Sequence, residues 1–262
     1  MTDSPLNAWL ERDEQILRLQ LARPKANIID AEMIDALSSA LHEHSGDERL
    51  LAVILDAEGP HFSFGASVEE HLPEQCAGML RKINSLVMQI IRYPVPVIAA
   101  VQGQCLGGGL EVVCAASPIF ATPDAQLGQP EISLAVIAPA ASCLLPERVG
   151  QAQAEMLLLS GESIDALGAR KIGLVDEISD SPSDAALTWV ERHLIGKSAS
   201  SLRFAVKAAR LDYAERIATK LDLVEKMYIE ELMQTRDPAE GLNAFLEKRK
   251  PVWENYSQGA DQ

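Results

Sequence analysis

Glu111 follows three consecutive glycines, Gly107, Gly108 and Gly109, which themselves follow the apolar run Val95 to Val101 and a short Gln102–Leu106 continuation. That order reads as a buried strand passing through a glycine-rich turn into a helix. Glycines let the backbone approach a ligand closely, and the first free N–H groups of a helix turn their partial positive charge toward it. The chemistry available to such a turn is oxyanion or phosphate binding, although tight packing of a helix on a strand calls for small residues too. Gly108 and Glu111 lie three residues apart, so a carboxylate at Glu111 shares a helix face with the Gly108 N–H.

Two further segments could contribute. Pro60 to Ser67 contains Phe62-Ser63-Phe64-Gly65-Ala66, a turn after the apolar run Leu50 to Leu55, and Gly128-Gln129-Pro130-Glu131-Ile132 presents a second acid beside a proline. Taken singly these are an ordinary loop with one flexible glycine and a helix start or solvated acid, since most glutamates are surface charges. Two carboxylates brought to one place could instead share general acid and base work.

The elements that must position these residues are legible in outline. Leu50 to Leu55 and Val95 to Val101 are β-branched-rich runs of the kind buried on both faces, and Ile16 to Leu21 alternates as a strand with one solvated face, closed by Arg23-Pro24. Met79, Ile83, Leu86, Val87 and Ile90 recur at helical spacing within Gln75 to Arg92, and an earlier helix covers Ala31 to Glu43. Strand, helix, strand implies parallel crossover units. From Ala185 onward the sequence is mostly helical, with a periodic stretch from Ser200 to Met233 and a last helix opening at Asp237-Pro238, Asp as N-cap and Pro as first residue. The chain divides into an α/β core, residues 1–195, and a C-terminal helical region, residues 196–262.

Composition excludes several functions. The balance of 23 Lys+Arg against 38 Asp+Glu gives a net charge of −15, which repels nucleic acid and anionic lipid over most of the surface. An anionic ligand must then be met by local backbone N–H groups or a few placed cations. Cys76, Cys105, Cys114 and Cys143 lack CxxC spacing and sit among apolar or small residues, as buried reduced thiols do. The first ten residues lack a basic segment followed by an apolar one, and no apolar run approaches membrane-spanning length. A soluble, cytoplasmic protein with neither membrane nor nucleic acid as partner is expected.

Together the three segments resemble the crotonase (enoyl-CoA hydratase/isomerase) superfamily, and the resemblance runs from about Ile16 to Asn255. It rests on Phe-Ser-Phe-Gly-Ala, Gly-Gly-Gly-Leu-Glu, Gly-Gln-Pro-Glu-Ile and the twenty residues separating Glu111 from Glu131. The resemblance implies a spiral of ββα units with a helical C-terminal trimerisation region, and an enzyme acting on acyl-coenzyme A thioesters. The N–H groups of Ala66 and Gly108 would hold the thioester oxygen as an oxyanion hole, and Glu111 and Glu131 would flank the double bond as catalytic acid and base. Lys25 and Ala26, in Arg23-Pro24-Lys25-Ala26-Asn27, together with Ser67 and Val68, would contact coenzyme A or substrate. So would Phe245 and Lys248 on the last helix, where a solvated helix end is an equal reading of Lys248. No metal or separate cofactor is implied, coenzyme A being part of the substrate, and the assembly would be a homotrimer or a hexamer built as a dimer of trimers.

Three departures stand against the family pattern. Ser67 replaces a common Asp, Pro60 a phosphate-binding Lys of some hydratases, and Ala138-Pro-Ala-Ala-Ser142 a glycine-rich stretch. The first two bear on phosphate contacts; the third reshapes the acyl pocket. These strings resemble those of a hydratase acting on a cyclic dienoyl thioester in anaerobic aromatic degradation. The alternatives are a general 2-enoyl-CoA hydratase or an isomerase of fatty-acid β-oxidation. A non-enzymatic scaffold or RNA-binding relative is disfavoured by the two glutamates and the −15 charge.

Overall fold

A computed structural model describes residues 4–255, so the outer ends of both expected regions, residues 1–3 and 256–262, lie outside the described residues. In chain order the elements are β1 (Leu6–Glu11), β2 (Ile16–Leu21), α1 (Ala31–His44), β3 (Ala52–Ala57), α2 (Cys76–Ile91), β4 (Val97–Val101), β5 (Gln104–Leu106), α3 (Gly108–Cys114), β6 (Ile119–Ala121), β7 (Gln126–Gly128), α4 (Pro139–Val149), α5 (Gln151–Ser160), β8 (Ser163–Asp165), α6 (Ala166–Lys171), β9 (Glu177–Ile178), α7 (Pro182–His193), α8 (Ala199–Lys226) and α9 (Asp237–Leu246). The chain passes back and forth between two sheets. The larger has the order β1-β2-β3-β4-β6-β9, parallel except for the β1–β2 hairpin, and the smaller has the order β5-β7-β8. The expected spiral is this alternation: β4 lies in the large sheet, β5 in the small one, α3 closes the turn, and β6 and β7 repeat the step.

The strands read as buried runs are so. Every residue of β3 and β4 is buried, and each fully buried Leu, Ile or Val side chain there stabilises the fold by about 1.5–3 kcal/mol. Leu17, Leu19 and Leu21 of β2 join the main core under α1 and α2. The expected solvated face of β2 is covered instead. Ile16 packs with Ile54, Ile98 and Phe120 against Ala186 and Val190 of α7. On the same face Arg18, only 9% exposed, pairs with Asp56 at 3.0 Å, and Ser183 of α7 donates to that carboxylate at 2.6 Å. A helix laid over the sheet turns an alternating pattern into a strand buried on both faces.

The C-terminal helices are not a detached unit. Leu221, Val224, Tyr228 and Leu242 lie in the same core cluster as β2 and β3. The periodic stretch beyond Ser200 breaks at Lys226, where a π-turn (Met227–Glu231) and a 3-10 turn (Leu232–Gln234) succeed α8. A π-turn inserts an extra residue and rotates the chain beyond it; Tyr228 is turned fully inward. Asp237 does not cap α9 but begins it, and its carboxylate accepts the Glu254 and Asn255 N–H groups at 2.7 and 3.0 Å. Two backbone donors from the returning chain outcompete one cap. Among the described residues no helix is long and apolar enough to cross a membrane.

Candidate active site

Gly107 and Gly108 sit where β5 turns into α3, and the space around each explains its residue type. A Cβ built on Gly108 would lie 3.0 Å from Ala66 Cβ and 3.1 Å from Ala66 N, so the turns carrying these residues are in contact. At Gly107 the backbone has φ +49°, and a Cβ would stand 2.6 Å from Glu131 Oε1. Any side chain there would displace the acid. Ala66 bridges to Ile29 beside it, but Ile29 N donates to Gly65 O at 2.9 Å, which leaves the Ala66 N–H out of that bridge. Gly108 is the first residue of α3, where N–H groups have no intrahelical acceptor. Two neighbouring backbone donors without an acceptor among the described residues form an anion-binding pair in outline.

Glu111 lies in the first turn of α3, buried at 4% exposure. Its Oε1 accepts from the Ala141 N–H at 3.0 Å, and Ala141 is the third residue of α4, whose first residue is Pro139. The start of a second helix therefore points at this carboxylate. Burial raises its pKa, opposed by the backbone donors Ala141 and Ala140. The stretch Ala138 to Ser142, expected only to reshape the pocket, thus also holds Glu111.

Glu131 lies in a 3-10 turn (Pro130–Leu134) that comes after β7. Burial, and then the charge of Glu111, push its carboxyl up to about 8. Two carboxyls that repel one another release their protons in coupled steps. The donors on Glu111 favour its anion, whereas Glu131 is raised further by the charge of Glu111. One ionised and one protonated carboxyl are the complement needed to take a proton from water and deliver one to carbon.

Glu131 also joins two spaces. A cleft of about 740 Å³ runs past Ala66, Gly107 and Glu131 to Phe245. A smaller cavity of about 150 Å³ lies on the other side of Glu131, walled by Ile137, Ala138, Ser142, Leu158 and Leu159. Of the residues expected to contact coenzyme A, Ala26, Ser67, Val68 and Phe245 line the cleft, whereas Lys25 and Lys248 do not and are exposed. Lys25 stands out on the turn after Arg23-Pro24, and Lys248 lies past the end of α9 at φ +55°. The cleft's lining cation is Arg23, held by Asp30 at 2.5 Å.

Sequence reasoning missed Gly107 as the contact of Glu131, Gln129 beside the same acid, the Ala140 and Ala141 donors, and His71 in the cleft wall. Only the α4 donors carried a usable signal, since Pro139 at a helix start advertises free N–H groups just after it.

The enoyl-CoA hydratase/isomerase family matches residues 11–257. A cyclohexa-1,5-dienecarbonyl-CoA hydratase of Thauera aromatica is 61% identical over 96% of this chain and 98% of that protein. A probable enoyl-CoA hydratase of Bacillus subtilis is 33% identical over 91% of this chain and 95% of its own length. Among solved structures, an enoyl-CoA hydratase from Mycobacterium avium subsp. paratuberculosis superposes with a TM-score of 0.82, covering 95% of this chain and 98% of that one. At 23% identity this last likeness is one of fold.

Proposed function

The chain belongs to the enoyl-CoA hydratase/isomerase family, and from that premise we propose that it hydrates cyclohexa-1,5-diene-1-carbonyl-CoA to 6-hydroxycyclohex-1-ene-1-carbonyl-CoA. The observation that carries the substrate is the 61% identity, over nearly the whole chain, with the Thauera hydratase. The cavity of about 150 Å³ beside Glu131 supports it, because a space of that size accommodates a benzene-sized ring. The reaction class is that of a hydro-lyase.

In this reading the thioester oxygen lies between the Ala66 and Gly108 N–H groups. Glu111, ionised and held by Ala141, takes a proton from water as the water oxygen bonds to the β-carbon. The electron pair of the ring double bond moves onto the thioester, giving a dienolate whose charge reaches the oxygen and the γ-carbon. Donors aimed at charge that develops only in the transition state stabilise it over the ground state, by about 3 kcal/mol for each such donor. Glu131 then gives its proton to the γ-carbon, across the ring from the new hydroxyl, which completes a 1,4-addition. No metal or cofactor has a part in these steps, coenzyme A being carried by the substrate.

The finer setting belongs to the same reading: a cytoplasmic enzyme of anaerobic benzoyl-CoA degradation, assembled as a trimer or a dimer of trimers. Phe204, Leu211, Leu223 and Met227 are exposed along α8 and its π-turn, and apolar side chains on one long helix suit burial against another subunit. Equilibrium sedimentation would read the assembly.

Offering the purified chain the cyclic dienoyl thioester and crotonyl-CoA side by side tests the substrate. The cyclic thioester should have the higher kcat/KM. Faster turnover of crotonyl-CoA would establish the general 2-enoyl-CoA hydratase instead.

A further inference from the structure

His71 ends the 3-10 turn (Glu69–His71) that follows the Ala66 loop, and it lines the large cleft with Ala66, Ser67 and Glu131. Its Nδ1 lies 2.7 Å from Ser67 O. A carbonyl oxygen only accepts, so Nδ1 carries the ring hydrogen and donates it. Burial lowers the pKa of His71, against the pull of that carbonyl, and the imidazole is neutral at pH 7. Nε2 is then a bare acceptor, and it has no hydrogen-bond partner among the described residues.

The turn beneath the ring is braced. His71 N donates to Val68 O at 3.1 Å, and Ser67 Oγ accepts from the Glu70 N–H at 3.4 Å while donating to Glu69 at 3.1 Å. Glu70 in turn accepts from the Ala31 N–H at 3.2 Å. A side chain fixed at one nitrogen presents the other in one direction, and a pre-set acceptor gains more from the right donor than a mobile one does.

The proposed substrate offers such an acceptor few donors. The cyclic diene and its thioester carbonyl carry neither N–H nor O–H. The first donor on a coenzyme A thioester is the amide N–H two methylenes beyond the sulfur. Ser67, to which His71 is bonded, directly follows Ala66, whose N–H holds the thioester oxygen in the reading above. We propose that His71 Nε2 accepts this amide N–H and so recognises the carrier arm of the substrate; this rests on a thioester occupying the cleft, not on which acyl group it carries. No proton is transferred in the contact. It is made equally before and during the reaction, so its loss should raise KM and leave kcat nearly unchanged.

The test pairs one side chain with one atom of the substrate. Kinetics are measured on the N-acetylcysteamine thioester, which keeps the N–H, and on the S-(2-acetoxyethyl) thioester, which has an ester oxygen in its place. The parent should prefer the amide in kcat/KM by about 3- to 10-fold, the range of one hydrogen bond. His71→Asn keeps a donor near Ser67 O but lacks Nε2, and should show no preference. His71→Gln, whose longer amide reaches the place of Nε2, should retain it. Circular dichroism checks folding, and His71→Phe replaces His71→Asn if that variant misfolds. An amide preference unchanged in the variant lacking Nε2 would overturn the contact. So would a lowered kcat at constant KM, which would put Nε2 on the reacting water instead. The same pair of thioesters made with the crotonyl group separates this outcome from the choice of substrate: turnover of crotonyl but not cyclic thioesters would strike the ring, and the crotonyl amide preference would still decide His71.

Discussion

The Ala141 N–H donates to Glu111 Oε1 across 3.0 Å, and this contact gives different surroundings to two acids that look alike in the sequence. One carboxyl is placed at a helix start, whose N–H favours its anion; the other, Glu131, is not aimed at by a helix start among the described residues, and its carboxyl is pushed up to about 8.

Glu111→Gln and Glu131→Gln should each lower kcat by at least about 100-fold with modest change in KM, since general acid–base help is worth roughly 10² to 10⁴. The double variant should lose far less than the product of the two, because groups that act as a unit forfeit most of their effect with the first removal. Steady-state kinetics on the cyclic thioester give all three numbers, and near-native turnover in either single variant would remove that residue from the mechanism.

The raised pKa of Glu131 fixes the sign of a stability change. Its carboxyl is held at about 8 in the folded chain against an ordinary 4.5, so between those values the folded state binds more protons than the unfolded one. Stability then falls as pH rises through the window. Thermal melts should show Glu131→Gln matching the parent near pH 4 and exceeding it at pH 8 to 9, since the neutral amide removes the cost of burying a second charge. A constant difference across that range would mean that Glu131 titrates normally.

Gly107→Ala should leave a folded protein with kcat reduced by about 100-fold, because a methyl placed 2.6 Å from Glu131 Oε1 must push the acid aside and a 1 Å displacement costs that much. Gly108→Pro removes a donor at a helix position where proline is otherwise tolerated, and the loss should again be about 100-fold or more. Far-ultraviolet circular dichroism separates both from misfolding. A folded Gly108→Pro enzyme with native activity would rule out that N–H as an oxyanion donor.

In the proposed reaction water adds at the β-carbon and Glu131 protonates the γ-carbon, so hydration in D₂O should place deuterium on the ring carbon para to the new hydroxyl and none on the α-carbon. NMR of the product from a single turnover reads the position. Deuterium on the carbon adjacent to the hydroxyl would indicate 1,2-addition and a different division of labour between the glutamates.

Much of this protein is written locally. The runs Leu50 to Leu55 and Val95 to Val101 read as buried strands, the helical spacing around Met79 to Ile90 reads as a helix, and Gly-Gly-Gly-Leu-Glu places a carboxylate one turn from a backbone donor, because strand and helix periods act over a few residues. Family and reaction class were legible for the same reason: short motifs at set spacing. What the tertiary structure alone decided are contacts between segments distant in the chain. β2 is buried on both faces only because α7, more than 160 residues later, lies across it. Arg23 lines the cleft while Lys25 and Lys248 are exposed outside its lining, a difference that residue order does not show. Above all, Glu111 and Glu131 are chemically identical in sequence. Their pKa values part company through burial, the start of α4 and the nearness of one to the other, and desolvation and Coulomb forces depend on distances in space that residue order does not contain.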